Sequence, residues 1–81
     1  MQRKTAREIL QWLVEELVDF PEEVEVKEMA GSQSITLEIN VRDSDIGKVI
    51  GKKGRTAQAL RDLMFCIGAR DQKRCVLQIN Q

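Results

Sequence analysis

Histidine is absent from this chain, and only two cysteines, one proline and three aromatic residues occur among its 81 positions. Without histidine the commonest general base and metal ligand is gone. Cys66 and Cys75 have no other ligands to share a metal with, and they read as two small buried hydrophobes of a reducing cytosol. No GxSxG nucleophile elbow, no acid cluster suited to a metal and no GxxxxGK[ST] phosphate loop is found, so neither an enzyme nor a cofactor is expected. No apolar run nears the roughly 20 residues that cross a bilayer. The start leads into an acid-bearing amphipathic segment, so Met1 reads as a natural start with no signal peptide. There is no internal repeat, low-complexity tract or Pro/Gly-rich linker. A hydrophobic fraction of 42% suits one globular domain over residues 1–81, near the lower end of what folds unaided.

Net charge is also lacking, with 13 Lys/Arg against 13 Asp/Glu. The charges are nonetheless segregated. Residues 42–74 carry nine bases and four acids, which leaves four bases and nine acids elsewhere. Such a dipole can steer a polyanion onto one face while the molecule stays soluble.

Thr5-Ala-Arg-Glu8 fits a capping box, and Ile9, Leu10, Leu13, Leu17 and Phe20 then recur at helical spacing. These predict an amphipathic helix over residues 6–19, stopped by Pro21. Trp12, Val14 and Val18 lie off that stripe, either as scattered exposed hydrophobes or as a face for a partner. Val24 and Val26 alternate with charges, and after the turn Ala30–Ser34 so do Ile35, Leu37, Ile39 and Val41 with polar residues. They predict two strands in an antiparallel hairpin. Asp43 or Ser44 is placed to cap a brief helix with Ile46, Val49 and Ile50. Ala57, Leu60, Leu63, Met64 and Ile67 mark a third helix over residues 55–67, ended by Gly68. A basic loop, Arg70–Arg74, precedes a last strand with Cys75, Leu77 and Ile79 on one face. The order is α-β-β-α-α-β, a two-layer α+β fold with helices on one face of a three-stranded sheet.

Between the second and third helices stands Val49-Ile-Gly-Lys-Lys-Gly-Arg-Thr56, with two lysines between two glycines. Glycine allows backbone angles closed to other residues and lets another chain approach closely. Lys52, Lys53 and Arg55 put positive charge at the same joint, where the N-terminal end of the third helix should also point. The combination suits a phosphate.

Ile46-Gly-Lys-Val-Ile-Gly-Lys-Lys-Gly54, in this element order, closely resembles the KH-domain signature, whose GxxG loop clamps a short stretch of single-stranded RNA or DNA. The arrangement is similar to the type II, bacterial-style KH fold, and the resemblance covers essentially the whole chain. With nothing beyond one such domain, the chain looks like the stand-alone bacterial KH proteins of the KhpA type. That resemblance implies a cytoplasmic, non-catalytic RNA-binding protein, a post-transcriptional regulator or RNA chaperone. It would act as a homodimer, or as a heterodimer with a second, larger KH protein.

The implied RNA-binding residues are Ile46, Gly47, Lys48, Ile50, Gly51, Lys52, Lys53, Gly54 and Arg55. Ile46, Gly47 and Ile50 would floor the groove under the bases, and the closing strand would form its opposite wall. Gly51 and Gly54 would admit the sugar-phosphate chain, and Lys52, Lys53 and Arg55 would meet phosphate. Of the other bases Arg42, Lys48, Arg61, Arg70, Lys73 and Arg74, mostly solvated side chains, Lys48 lies nearest the loop. Phe20, Phe65 and Trp12 fall outside the expected groove, which argues against a sheet that stacks bases on exposed aromatics. RNA is favoured over DNA by resemblance, and the other reading is a protein-interaction or assembly module with little nucleic-acid binding.

Overall fold

The computed structural model describes residues 3–81, so the reading of Met1 as a natural start lies outside the described residues. Helix α1 (Ala6–Leu17) opens with the expected capping box. The Thr5 hydroxyl accepts from the Glu8 N–H at 3.1 Å, and the Glu8 carboxylate accepts from the Thr5 N–H at 3.0 Å. Those bonds hold the Glu8 carboxyl below its ordinary pKa. The stripe that α1 buries is Ala6, Leu10 and Val14, not the one expected through Leu17 and Phe20. Residues four apart share a helix face, and the sheet lies beneath this one. Val14 is therefore core, and Val18 packs half-buried against the core. Leu17 and Trp12 remain exposed.

Helix α1 ends at Leu17, ahead of residue 19 and well ahead of Pro21. The fully buried Asp45 carboxylate accepts from the Asp19 N–H at 3.2 Å and the Phe20 N–H at 3.1 Å, which draws the chain out of the helix. Pro21 instead opens a 3₁₀ turn, Pro21–Glu23, the position its fixed φ suits.

Strands β1 (Glu25–Ala30) and β2 (Ser34–Asn40) form the expected antiparallel hairpin, closed by the Gly31 N–H donating to the Ser34 carbonyl at 2.7 Å. Ile35, Leu37 and Ile39 of β2 point into the core, and full burial of side chains this size contributes roughly 1.5–3 kcal/mol each. Strand β3 (Arg74–Ile79) returns after two helices and pairs parallel to β2, with Cys75 beside Ile35 and Leu77 beside Leu37. A crossover of that length is what parallel pairing requires. The sheet order β1-β2-β3 leaves β2 central and the outer edge of β3 without a strand partner. The opposite edge, β1, is capped from α1. There Gln11 donates to the Val24 carbonyl at 2.9 Å and accepts from the Val26 N–H at 3.0 Å.

A 3₁₀ turn, Asp43–Asp45, leads into α2 (Ile46–Ile50). The expected cap from Asp43 or Ser44 is not made. Asp45 occupies the cap position, but its carboxylate is engaged by Asp19 and Phe20. Helix α3 (Arg55–Arg70) runs through Gly68, which was expected to end it. Gly68 is buried in the last turn, where a Cβ would lie 2.7 Å from the Lys73 carbonyl oxygen and 3.0 Å from the Cys75 Cβ. Its absent side chain brings α3 onto β3. The helix stops at Asp71–Gln72, with Gln72 at φ 57° and the Lys73 N–H returning to the Gly68 carbonyl at 3.0 Å. Cys75 is buried as expected, but Cys66 is exposed on α3. The whole is the two-layer α+β fold with the α-β-β-α-α-β order of a type II KH domain. Among the described residues no helix is long and apolar enough to cross a membrane.

Asp45→Ala strands two backbone donors near the junction of α1 and α2. Urea denaturation is expected to show a loss of about 2–4 kcal/mol, and Asp45→Asn, which keeps one acceptor oxygen, a smaller one.

Candidate nucleic-acid interface

The joint between α2 and α3 is a 3₁₀ turn, Lys52–Gly54, in which Lys53 (57°) and Gly54 (74°) take positive φ, as does Gly51 (79°) just before it. The two glycines serve different ends. At Gly51 a Cβ would sit 2.6 Å from the Thr56 Cβ and 2.8 Å from the Thr56 amide nitrogen, so that glycine is demanded by the protein's own packing. At Gly54 no atom lies within 4 Å of the Cβ position, and the space is open to an incoming chain. Lys53 holds a left-handed conformation that costs a residue with a Cβ roughly 1–2 kcal/mol. Strain of this kind collects at sites where geometry serves a ligand.

Hydrogen bonds define which donors the turn presents. The Gly51 N–H closes α2 on the Gly47 carbonyl at 2.8 Å, and the Gly54 N–H closes the turn on the Gly51 carbonyl at 3.0 Å. The Arg55 N–H goes to the Lys52 carbonyl. Among the described residues the Lys52 and Lys53 amides donate to no backbone carbonyl outside the turn. Both lysine side chains and Arg55 are exposed, and among the described residues none of the three forms an ion pair. Free amides, three unpaired cations and the N-terminal end of a 16-residue helix thus converge at one corner.

On α2, Ile46 and Ile50 are half-buried one turn apart, while Val49 is fully buried in the core. Gly47 is exposed with nothing within 4 Å of its Cβ position. The apolar floor expected from Ile46, Gly47 and Ile50 is sterically available. Lys48 is turned elsewhere, its ammonium 3.3 Å from the Asp19 carboxylate. Of the nine candidates it is the one that the structure does not bring to the joint.

The remaining bases divide in a way that spacing does not reveal. Arg42 pairs with Glu23 at 3.1 Å and lies 4.0 Å over the Phe20 ring. Arg70 pairs with Asp71 at 3.5 Å and donates to the Lys4 carbonyl at 3.0 Å. Lys73 reaches the Gly31 carbonyl at 3.5 Å. Arg61 and Arg74, by contrast, line a cleft of about 400 Å³ between α3 and β3, and neither pairs with an acid among the described residues. Phe65, 62% exposed, lines the same cleft. The cleft wall includes Cys75, whose thiol burial pushes up from its ordinary pKa, with a smaller push from Glu28, so it remains a neutral apolar surface. The one-turn spacing of Arg61 and Phe65 puts both on the flank of α3 that faces β3.

Comparison with known proteins gives the family. The family model for the KhpA/KhpB KH domain matches residues 7–79. An RNA-binding protein KhpA from Chlamydia trachomatis is 45% identical over 73 residues, covering 90% of this chain and 94% of its own. That of Clostridium acetobutylicum is 44% identical over 73 residues, with 90% and 97% covered, and that of Aquifex aeolicus 41% identical, with 90% and 92% covered. No solved structure matches the chain.

The unequal duties of the two glycines give a direct test of the joint. Gly51→Ala is expected to cost about 2–4 kcal/mol, from positive φ and overlap with Thr56 together. Gly54→Ala should cost about 1–2 kcal/mol, from φ alone. Equal losses in chemical denaturation would contradict the packing described for Gly51.

Proposed function

Because the chain belongs to the KhpA/KhpB KH-domain family, we infer that it is a non-catalytic RNA-binding protein that grips a short single-stranded segment at Gly51-Lys52-Lys53-Gly54. The observation that carries this reading is the strained turn at the head of α3, which gathers free amides and three unpaired cations beside open space at Gly54. Phosphate meets Lys52, Lys53 and Arg55, and bases lie over Ile46, Gly47 and Ile50, with the open edge of β3 as the opposite wall. The relatives' name as RNA-binding proteins favours RNA over DNA. The role that follows is that of a cytoplasmic post-transcriptional regulator or RNA chaperone.

Self-association belongs to the same reading. A single KH clamp holds about four nucleotides, and joining two clamps raises effective affinity without new contacts. The surface that supports this is an apolar groove of about 280 Å³ between α1 and α3, lined by Leu13, Leu17, Ala59 and Leu63, with Leu17 and Leu63 exposed. Val14 and Val18, which serve the core, are not part of it. An isologous two-fold contact across this groove, or the same groove filled by a larger KH protein, leaves the α2–α3 turn open.

Fluorescence anisotropy with short labelled RNAs tests the clamp. Lys52→Asp with Lys53→Asp is expected to abolish binding while the melting temperature stays unchanged, since both side chains are exposed. In the wild type, log K should fall against log[salt] with a slope of roughly −2 to −3 for three to four phosphate contacts. Unchanged affinity in the folded double mutant would sink the assignment. Sedimentation at micromolar concentration tests association: Leu17→Glu or Leu63→Glu should convert a dimer to monomer with RNA binding per site retained.

A further inference from the structure

We propose that the outward ridge of α1, where Trp12 stands between Glu8, Glu15 and Glu16, is a docking surface for a basic peptide segment of a partner protein. One arginine or lysine of that segment lies over the indole.

Helical spacing makes the ridge. Ala6, Leu10 and Val14 bury one stripe of α1 against the sheet, and Trp12 falls on the side away from it. Glu8 stands one turn before Trp12, and Glu15 and Glu16 one turn after it, so all three are its neighbours on the helix surface. Trp12 is 57% exposed, although tryptophan is a residue that protein interfaces favour. Its ring attracts a cation over its face more strongly than the other aromatic side chains do.

Charge selects the partner. Among the described residues none of the three glutamates forms an ion pair. Glu15 accepts from a neutral donor, the Gln11 amide, at 3.0 Å. Glu8 accepts from the Thr5 N–H, which keeps it ionised, and the bases near it are Lys4 and Arg7. Beyond the other end of α1, Lys48 and Arg42 are held by Asp19 and Glu23. From Trp12 to Glu16 the ridge is therefore acidic without a counter-charge. That sign repels RNA and an anionic membrane alike, and a purely apolar partner would gain nothing from the carboxylates. A guanidinium or ammonium satisfies both features at once, its charge over the indole and its N–H groups on the carboxylates. The whole chain points the same way, since nine of its 13 acids lie outside the basic stretch 42–74.

The test uses the full chain and a short fluorescein-labelled peptide of alternating arginine and glycine. Trp12 is the only tryptophan, so its fluorescence should change as the peptide binds. Trp12→Ala, at an exposed position, should keep the melting temperature and weaken binding roughly 2- to 30-fold, the range of one cation–π contact. Glu15→Gln with Glu16→Gln should weaken it by a similar factor, roughly 2- to 30-fold for two exposed charge pairs. Raising salt from about 0.1 M to about 1 M shortens the screening length from about 10 Å to about 3 Å, and should erase the difference between that double variant and the wild type. The same peptide with neutral citrulline for arginine should not bind. Lys52→Asp with Lys53→Asp should bind the arginine peptide undiminished, which separates this surface from the clamp. Equal binding by Trp12→Ala and wild type, or by the citrulline peptide, overturns the proposal. So does a wild type that ignores the peptide yet, in sedimentation, loses self-association on both Trp12→Ala and the double lysine change, because the ridge then belongs to the basic turn of a second copy.

Discussion

The Asp45 carboxylate is the constraint on which the placement of the GxxG turn depends. It is fully buried, it sits at the start of α2, and it accepts from two backbone donors at the end of α1. A helix of five residues has too few internal hydrogen bonds to hold its own direction. Asp45 supplies the missing anchor by tying the front of α2 to the outgoing chain of α1. Val49, fully buried, pins the same helix from its core side. The exposed Lys48–Asp19 pair adds a contact to the same junction, but solvent makes such a pair worth little. With α2 so fixed, the turn after it must bend sharply to deliver α3 onto the sheet. Gly51 against Thr56 and left-handed Lys53 are the local consequences.

Charge follows the same geometry. A chain of zero net charge acquires a basic face because its acids are used selectively. Glu23, Asp19 and Asp71 take up Arg42, Lys48 and Arg70, all away from the turn. Among the bases left without ion-pair partners in the described residues, Lys52, Lys53, Arg55, Arg61 and Arg74 lie on α3, in the turn that heads it or on the strand beside it. Uncompensated cations along one helix make a continuous electrostatic track, whereas the same number scattered over the surface would largely be screened from one another at physiological salt.

Much of this was legible in the residues. The GxxG turn, the alternation in β2 and β3, the capping box at Thr5 and the hairpin all follow from local patterns whose physical meaning does not depend on the rest of the chain. The errors share a cause. Val14 and Leu17 are both apolar at helical spacing, and which one faces the sheet depends on where the sheet lies. Gly68 looked like a helix stop because glycine so often is one, but a close approach by β3 uses the same residue inside the helix. Asp45 gave no sign of its role, since its partners are 25 and 26 positions away. Each failure is a tertiary contact overriding a local preference.

Helix α3 finally shows how a domain this small separates its duties. Its buried face, Ala57, Leu60, Met64 and Gly68, is held by the sheet. One flank, through Ala59 and Leu63, adjoins α1 and carries the apolar groove; the other, through Arg61 and Phe65, adjoins β3 and carries the cationic cleft. The N-terminal end meets the strained turn. A helix rigidly seated by one face holds the other surfaces at fixed angles to one another. A ligand held at the turn would therefore meet these surfaces without the helix having to move. Preorganisation of this kind is what would let a small clamp hold a flexible strand, because a site already ordered by packing has little ordering entropy left to lose on binding.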